Sequence, residues 1–177
     1  MRLGLLQFAP IWENPKASRK LIAKTLADSP PDGLVLFLPE MCCTGFSMNE
    51  EYCAERLDGP PHDFFSDLAR HYRSTIVAGL AIRDSDDFAR NAACLWNADG
   101  NLGTTYIKQH PFPLTGEQDH YPPGQGSVMA YVDSVPVALF ICYDLRFPET
   151  FRAVAKDVQL MAVIANWPAP RADHWHT

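Results

Sequence analysis

Three side chains stand where α/β folds place reacting groups, just past the ends of apolar, strand-like runs. Glu40 follows Leu-Val-Leu-Phe-Leu-Pro, Lys108 follows Thr-Thr-Tyr-Ile, and Cys142 ends Val-Pro-Val-Ala-Leu-Phe-Ile-Cys. A cysteine nucleophile needs a base for its proton, a donor for the oxyanion and a fixed backbone. A glutamate and a lysine supply the first two. The junction Cys142-Tyr143-Asp144 supplies the third, as a strand-to-helix turn with free N–H groups at its start. That helix start and a nearby lysine are expected to favour thiolate over thiol. Each residue also has an ordinary reading: a core cysteine, a solvated lysine and an exposed turn glutamate. Residue type and spacing leave the three as candidates.

The elements that must position them alternate in the manner of an α/β layered fold. Residues 3–9 and 34–38 are apolar runs of buried-strand type, and Asn14-Pro15 opens a helix over 16–28 that Ser29-Pro30-Pro31 stops. Phe64, Phe65, Leu68 and Tyr72 recur at helical spacing within 63–73. Residues 75–82 and 91–97 read as strands, and Ala98-Asp99-Gly100-Asn101 carries hairpin chemistry ahead of a returning strand over 102–107. A Pro/Gly-rich loop spans 109–126. Strands follow over 128–132 and 135–141 about a tight Asp133-Ser134 turn. A helix contains Phe147, Phe151, Val154 and Ala155, and the last strand spans 159–165. No internal repeat and no linker divides the chain, so residues 1–177 read as one domain.

Composition narrows the function classes. The 177 residues are 47% hydrophobic and 20% charged, which excludes wholesale disorder and a coiled coil. Fifteen basic against twenty-one acidic residues give a formal charge of −6, without the basic face of a nucleic-acid binder. No run approaches the ~18 apolar residues of a membrane span, and the N-terminus does not read as a signal peptide. Five cysteines without a regular framework suit a reducing cytoplasm.

Three blocks carry a family resemblance: LFLPEMCCTGF (36–46), YIKQHPF (106–112) and ICYDLRFPE (141–149). In this order, each with its candidate residue, they resemble the signature blocks of the nitrilase superfamily of carbon–nitrogen hydrolases. Gln7 in the opening strand and Asn166-Trp167-Pro168 after the last one are similar to the family as well. Cys-Tyr-Asp-Leu-Arg-Phe-Pro-Glu and the run 116–121 look most like the ω-amidase branch, which hydrolyses side-chain amides of small dicarboxylates. The resemblance implies Cys142 as nucleophile, Glu40 as general base and Lys108 as oxyanion stabiliser. Glu117 matches a second glutamate that positions substrate and lysine, and the Tyr143 N–H is a second oxyanion donor. No metal or organic cofactor is implied, and full-length relatives are expected to be homodimers. The implied fold is a four-layer α-β-β-α sandwich, incomplete here at the C-terminus. The family's domain continues well past Asn-Trp-Pro, so an open sheet edge and an uncovered apolar face are expected.

Several residues fall outside this assignment. Arg146 either forms a buried ion pair or holds a substrate carboxylate. Cys42-Cys43 read as structural or substrate-loop residues rather than a redox pair. His110, His120, His174 and His176 are metal-binding types without a fixed geometry. Three functions stay open at this level: an ω-amidase acting through a thioester, a non-catalytic remnant that binds or assembles, and a nitrilase or N-carbamoyl hydrolase.

Overall fold

The computed structural model describes residues 1–176. In chain order the elements open with β1 (Leu3–Leu5), α1 (Pro15–Asp28), β2 (Val35–Phe37), α2 (Glu50–Cys53) and β3 (Glu55–Arg56). They continue with α3 (Pro60–Tyr72), β4 (Thr75–Arg83), β5 (Ala89–Trp96), β6 (Leu102–Ile107) and α4 (Glu117–His120). The last are β7 (Met129–Val132), β8 (Val135–Ile141), α5 (Pro148–Val154), β9 (Leu160–Ile164) and α6 (Asp173–His176).

The period-two alternation of β4 explains the layering. Ile76, Ala78, Leu80 and Ile82 pack with Ile22 and Leu26 of α1 and with Phe65, Ala69 and Tyr72 of α3. Val77 joins a second core, with Val35, Phe37, Ala93, Leu95 and Tyr106, against β7, β8 and β9. A strand buried on both faces has to be apolar at every position, which is why this sheet reads as continuous runs. β5 repeats the division: Ala92, Cys94 and Trp96 meet the helices, while Ala93 and Leu95 belong to the second core.

The first sheet runs β1-β2-β4-β5-β6, with β3 also on β4; the second runs β7-β8-β9. Pairing is parallel from β1 through β4 and antiparallel from β4 through β6. Phe151 of α5 stacks on Phe140 of β8, with ring centroids 4.1 Å apart, so α5 belongs to the far layer. The result is the α-β-β-α sandwich.

Asn14 caps α1 as expected, its Oδ1 accepting from the Ala17 N–H at 3.0 Å. Asp133 and Ser134 both take positive φ, +49° and +67°, in the tight turn that joins β7 to β8. Three expectations need correction. The run 3–9 is a strand only over Leu3–Leu5, and Leu5 is 81% exposed, because β1 is an edge paired on one side alone. α3 starts at Pro60, ahead of residue 63, because prolines fit the first two helical positions, where no N–H needs a partner. Residues 142–146 form a 3-10 turn before α5 begins at Pro148.

Candidate active site

Glu40 reaches its place through a close crossing of backbones. Beyond β2 the Leu38 N–H donates to the Val77 carbonyl at 2.8 Å, and the Pro39 carbonyl accepts from the Gly79 N–H at 3.2 Å. A Cβ on Gly79 would lie 2.5 Å from both Glu40 Cα and the Pro39 oxygen, so only glycine lets the chain pass here. The glutamate is fully buried.

Lys108 follows β6 and is held at both ends. Its N–H donates to the Asn91 carbonyl at 2.9 Å, and its own carbonyl accepts from the Gly124 N–H at 2.9 Å. A Cβ on Gly124 would sit 2.4 Å from the Ile107 oxygen, so the long loop seals the strand end through glycine.

Cys142 opens the 3-10 turn with φ of +46°, a left-handed conformation that β8 and Asp144 impose on it. Buried Asp144 accepts the Ile141 N–H at 2.9 Å and the Tyr106 hydroxyl at 2.7 Å. Its other oxygen accepts the His110 N–H at 3.0 Å and lies 2.8 Å from His110 Nδ1. The His110 ring in turn stacks on Phe147, centroids 3.6 Å apart. One carboxylate thus fixes the residue before the cysteine, the hydroxyl behind it and the imidazole beside it.

The three candidates converge. Lys108 Nζ donates to Glu40 Oε1 at 2.8 Å and to Glu117 Oε2 and Oε1 at 2.8 and 3.1 Å. Glu40 Oε2 accepts the Asn166 N–H at 2.9 Å, and Glu117 Oε2 accepts the Phe112 N–H at 2.6 Å. The Cys142 thiol feels both the Glu40 carboxylate and the Lys108 ammonium electrostatically.

The electrostatics correct one expectation. Burial pushes the Cys142 thiol well above its ordinary value, Glu40 adds to this, and Lys108 offsets only part of it. The resting sulfur is a thiol, first because burial disfavours the thiolate and then because two carboxylates outnumber one ammonium around it. Burial by itself would lower Lys108, but Glu40 and Glu117 outweigh it and hold the ammonium charged. Glu117 is raised by burial and by Glu40, against the pull of Lys108 and Asn91.

An apolar-walled pocket opens over the sulfur, lined by Cys142, Tyr143, Phe46, Phe112, Asn166, Trp167, Arg146 and Arg171. Tyr143 meets Phe112 edge to face, centroids 5.1 Å apart, and its N–H sits where a 3-10 start leaves amides without an acceptor in the turn. Arg146 is exposed at the pocket and not buried against an acid, so the ion-pair alternative falls. The Arg171 guanidinium lies 5.4 Å over the Phe112 ring. A thiol near a carboxylate and an ammonium, under an apolar-walled pocket, is suited to acyl transfer.

Sequence reading missed Asn91, whose Nδ2 donates to Glu40 Oε1 at 2.8 Å and to Glu117 Oε1 at 2.7 Å. Its signal was a polar residue leading an apolar strand. Asp144 was noted only as part of the turn. The histidines do not gather: His110 pairs with Asp144 and His120 with Glu50, His174 is exposed, and the His176 side chain lies outside the described residues. No group of three or more His, Cys, Asp or Glu forms a metal site among the described residues. Cys42 and Cys43 are buried free thiols, like Cys53 and Cys94. No helix among the described residues is long and apolar enough to cross a membrane.

Comparison with known proteins identifies the family and the fold. The carbon-nitrogen hydrolase family matches residues 3–177. The chain is 33% identical to the omega-amidase YafV of Yersinia enterocolitica, over 100% of this chain and 67% of that protein. It is 29% identical to the 2-oxoglutaramate amidase of Bacillus subtilis, over 98% and 68%. XC1258 of Xanthomonas campestris, a CN-hydrolase superfamily protein solved with an arsenic adduct in its active site, superposes with a TM-score of 0.87. That match has 28% identity and covers 99% of this chain and 69% of that one. The chain therefore spans about two thirds of the length of these relatives. With signature blocks, sandwich and buried Glu-Lys-Cys cluster in agreement, the chain belongs to the carbon-nitrogen hydrolase family.

Proposed function

We propose that the chain is an ω-amidase-like hydrolase that releases ammonia from the side-chain amide of small dicarboxylate monoamides, 2-oxoglutaramate being the test substrate. The observation that carries this reading is the convergence of Glu40, Lys108 and Cys142 on one buried point below the pocket. The sulfur attacks the amide carbon as Glu40 takes the thiol proton, and the carbonyl oxygen becomes an oxyanion held by Lys108 and the Tyr143 N–H. Because the thiol is neutral at rest, attack and proton transfer to Glu40 are coupled. Collapse of the oxyanion breaks the C–N bond. Glu40 gives its proton to the nitrogen, and ammonia leaves a thioester. A water then attacks the thioester, Glu40 takes its proton, and Cys142 regains it as the carboxylate product departs.

Lys108 stays protonated throughout and is an electrostatic partner, not a base. Arg146 and Arg171 at the pocket wall support a substrate with a carboxylate at the end remote from the amide. The names of the Yersinia and Bacillus relatives support the same substrate class.

The test is ammonia release from 2-oxoglutaramate by the chain and by Cys142→Ser, with circular dichroism on both. The variant is expected to keep the fold and to lose turnover by at least about a thousandfold. Equal turnover in the variant would overturn the thioester route. Activity on a nitrile or an N-carbamoyl amino acid, with none on the amide, would overturn the substrate class.

A further inference from the structure

Asn91 is almost fully buried at the start of β5, on the same face as Ala93 and Leu95, where a strand-forming apolar residue would extend the core between the sheets. It places one amide nitrogen between two carboxylates, at 2.8 Å from Glu40 and 2.7 Å from Glu117. Its backbone carbonyl accepts the Lys108 N–H. Its side-chain oxygen is buried without a partner. A residue selected for stability alone would not leave that atom orphaned, since an unmet buried acceptor is destabilising. The orientation is instead the one the two carboxylates demand, because both need donors and neither can serve the amide oxygen.

Donor counting sharpens the point. Glu117 is met by the Lys108 ammonium, the Phe112 N–H and Asn91, all donors. Glu40 is met by the ammonium, the Asn166 N–H and Asn91, again all donors. Two carboxylates face one ammonium, and among the described residues, apart from the lysine, only Asn91 donates to both.

We infer that Asn91 is a positioning residue for the hydrolysis proposed above: its two N–H bonds hold Glu40 and Glu117 apart and both as hydrogen-bond acceptors, so that Glu40 stays free to take the Cys142 proton. The inference rests on that reading of the site and adds a residue to it. Asn91 does not line the pocket, and it acts through the two glutamates.

The test follows alkylation of Cys142 by iodoacetamide across pH, read by peptide mass, which does not depend on turnover. The groups facing Glu40 are Lys108 after β6, Glu117 on α4, Cys142 after β8 and the Asn166 backbone after β9. Without the amide, the carboxylate pair holds its first proton more tightly. The acid limb of the labelling profile in Asn91→Leu should therefore move to higher pH by about one unit, roughly a tenfold slower reaction on that limb. Asn91→Ser, with one hydroxyl donor for two acceptors, should fall between Leu and the parent. Melting curves taken alongside separate this from loss of fold.

An unchanged acid limb in both variants overturns the inference, even if overall labelling falls. Loss of fold in both makes Asn91 a structural residue and overturns it too. If Cys142 of the parent chain is not labelled in preference to the other four cysteines, the hydrolase reading itself fails and takes this inference with it.

Discussion

At the residue scale the site depends on a small number of buried hydrogen bonds that set geometry before they set charge. Asp144 is the clearest case, because it accepts from Ile141, Tyr106 and His110 and so holds the turn that gives Cys142 its positive φ. Asp144→Asn would place an NH2 against donors and let the turn relax. A displacement of about 1 Å at the sulfur is enough to reduce turnover on the order of a hundredfold. The expected result is a fall in kcat with a smaller change in KM, measured by steady-state ammonia release; unchanged kcat would contradict this role. Glu40, Lys108 and Cys142 stood out as candidates because each is a reactive side chain ending an apolar run, and the family resemblance gave them their roles. Asn91 was not, because its partners on the 38–41 segment and on α4 come together only through tertiary packing. The protonation state of Cys142 was misread for the same reason: the sequence shows a lysine nearby, but neither the burial of the sulfur nor the two carboxylates around it.

At the element scale, close approach of backbones decides where the glutamate goes. Gly79 on β4 gives way to Pro39 and Glu40, and any Cβ would collide with main-chain atoms that cannot rotate aside. Gly79→Ala is expected to lower stability by about 2 kcal/mol or more and to abolish turnover, read by urea melts and ammonia release. A variant with both intact would show that the crossing can widen at no cost. The β4–β5 connection offers a milder test. Asp84 accepts from Arg90 at 2.8 Å and from the Phe88 and Asp86 N–H groups at 2.9 and 3.0 Å. Arg90, then these amides, hold its carboxyl below the ordinary carboxylate range against partial burial. A lowered folded-state value means the contribution is present above the unfolded value and fades as pH falls through the folded one. Asp84→Asn should therefore melt below the parent at pH 7, and the gap should close as pH falls below the ordinary aspartate range. A gap independent of pH would contradict this. The long helices and the paired strands were legible from period and caps, whereas α2 and α4 are four residues each, too short for any period to show.

At the scale of the whole molecule, two apolar interfaces account for the layering, and a third apolar surface is open. A groove runs between β1 and β9, the edge strands of their sheets, lined by Leu5, Phe8, Phe37, Ile164, Trp167 and Trp175. Exposed apolar surface of this kind takes up a solvatochromic dye. The chain is expected to brighten such a dye while fully folded, and Leu5→Ser with Trp175→Ser to dim it without changing the melt; a dark parent chain would contradict the open groove. The α/β layering was legible from the alternation of apolar runs and helices and the four-layer order from the family resemblance, while the exposure of β1 depends on its having a single strand neighbour. What joins the scales is the buried Glu40–Lys108–Cys142 cluster, which the two sheets exist to bring together. Its most direct test is to mix the chain with 2-oxoglutaramate, quench in acid within a turnover, and read the mass of the Cys142 peptide alongside ammonia. An acyl adduct on Cys142, formed as ammonia appears and absent in Glu40→Gln, is the predicted result. Ammonia release without any adduct, persisting in Cys142→Ala, would contradict it.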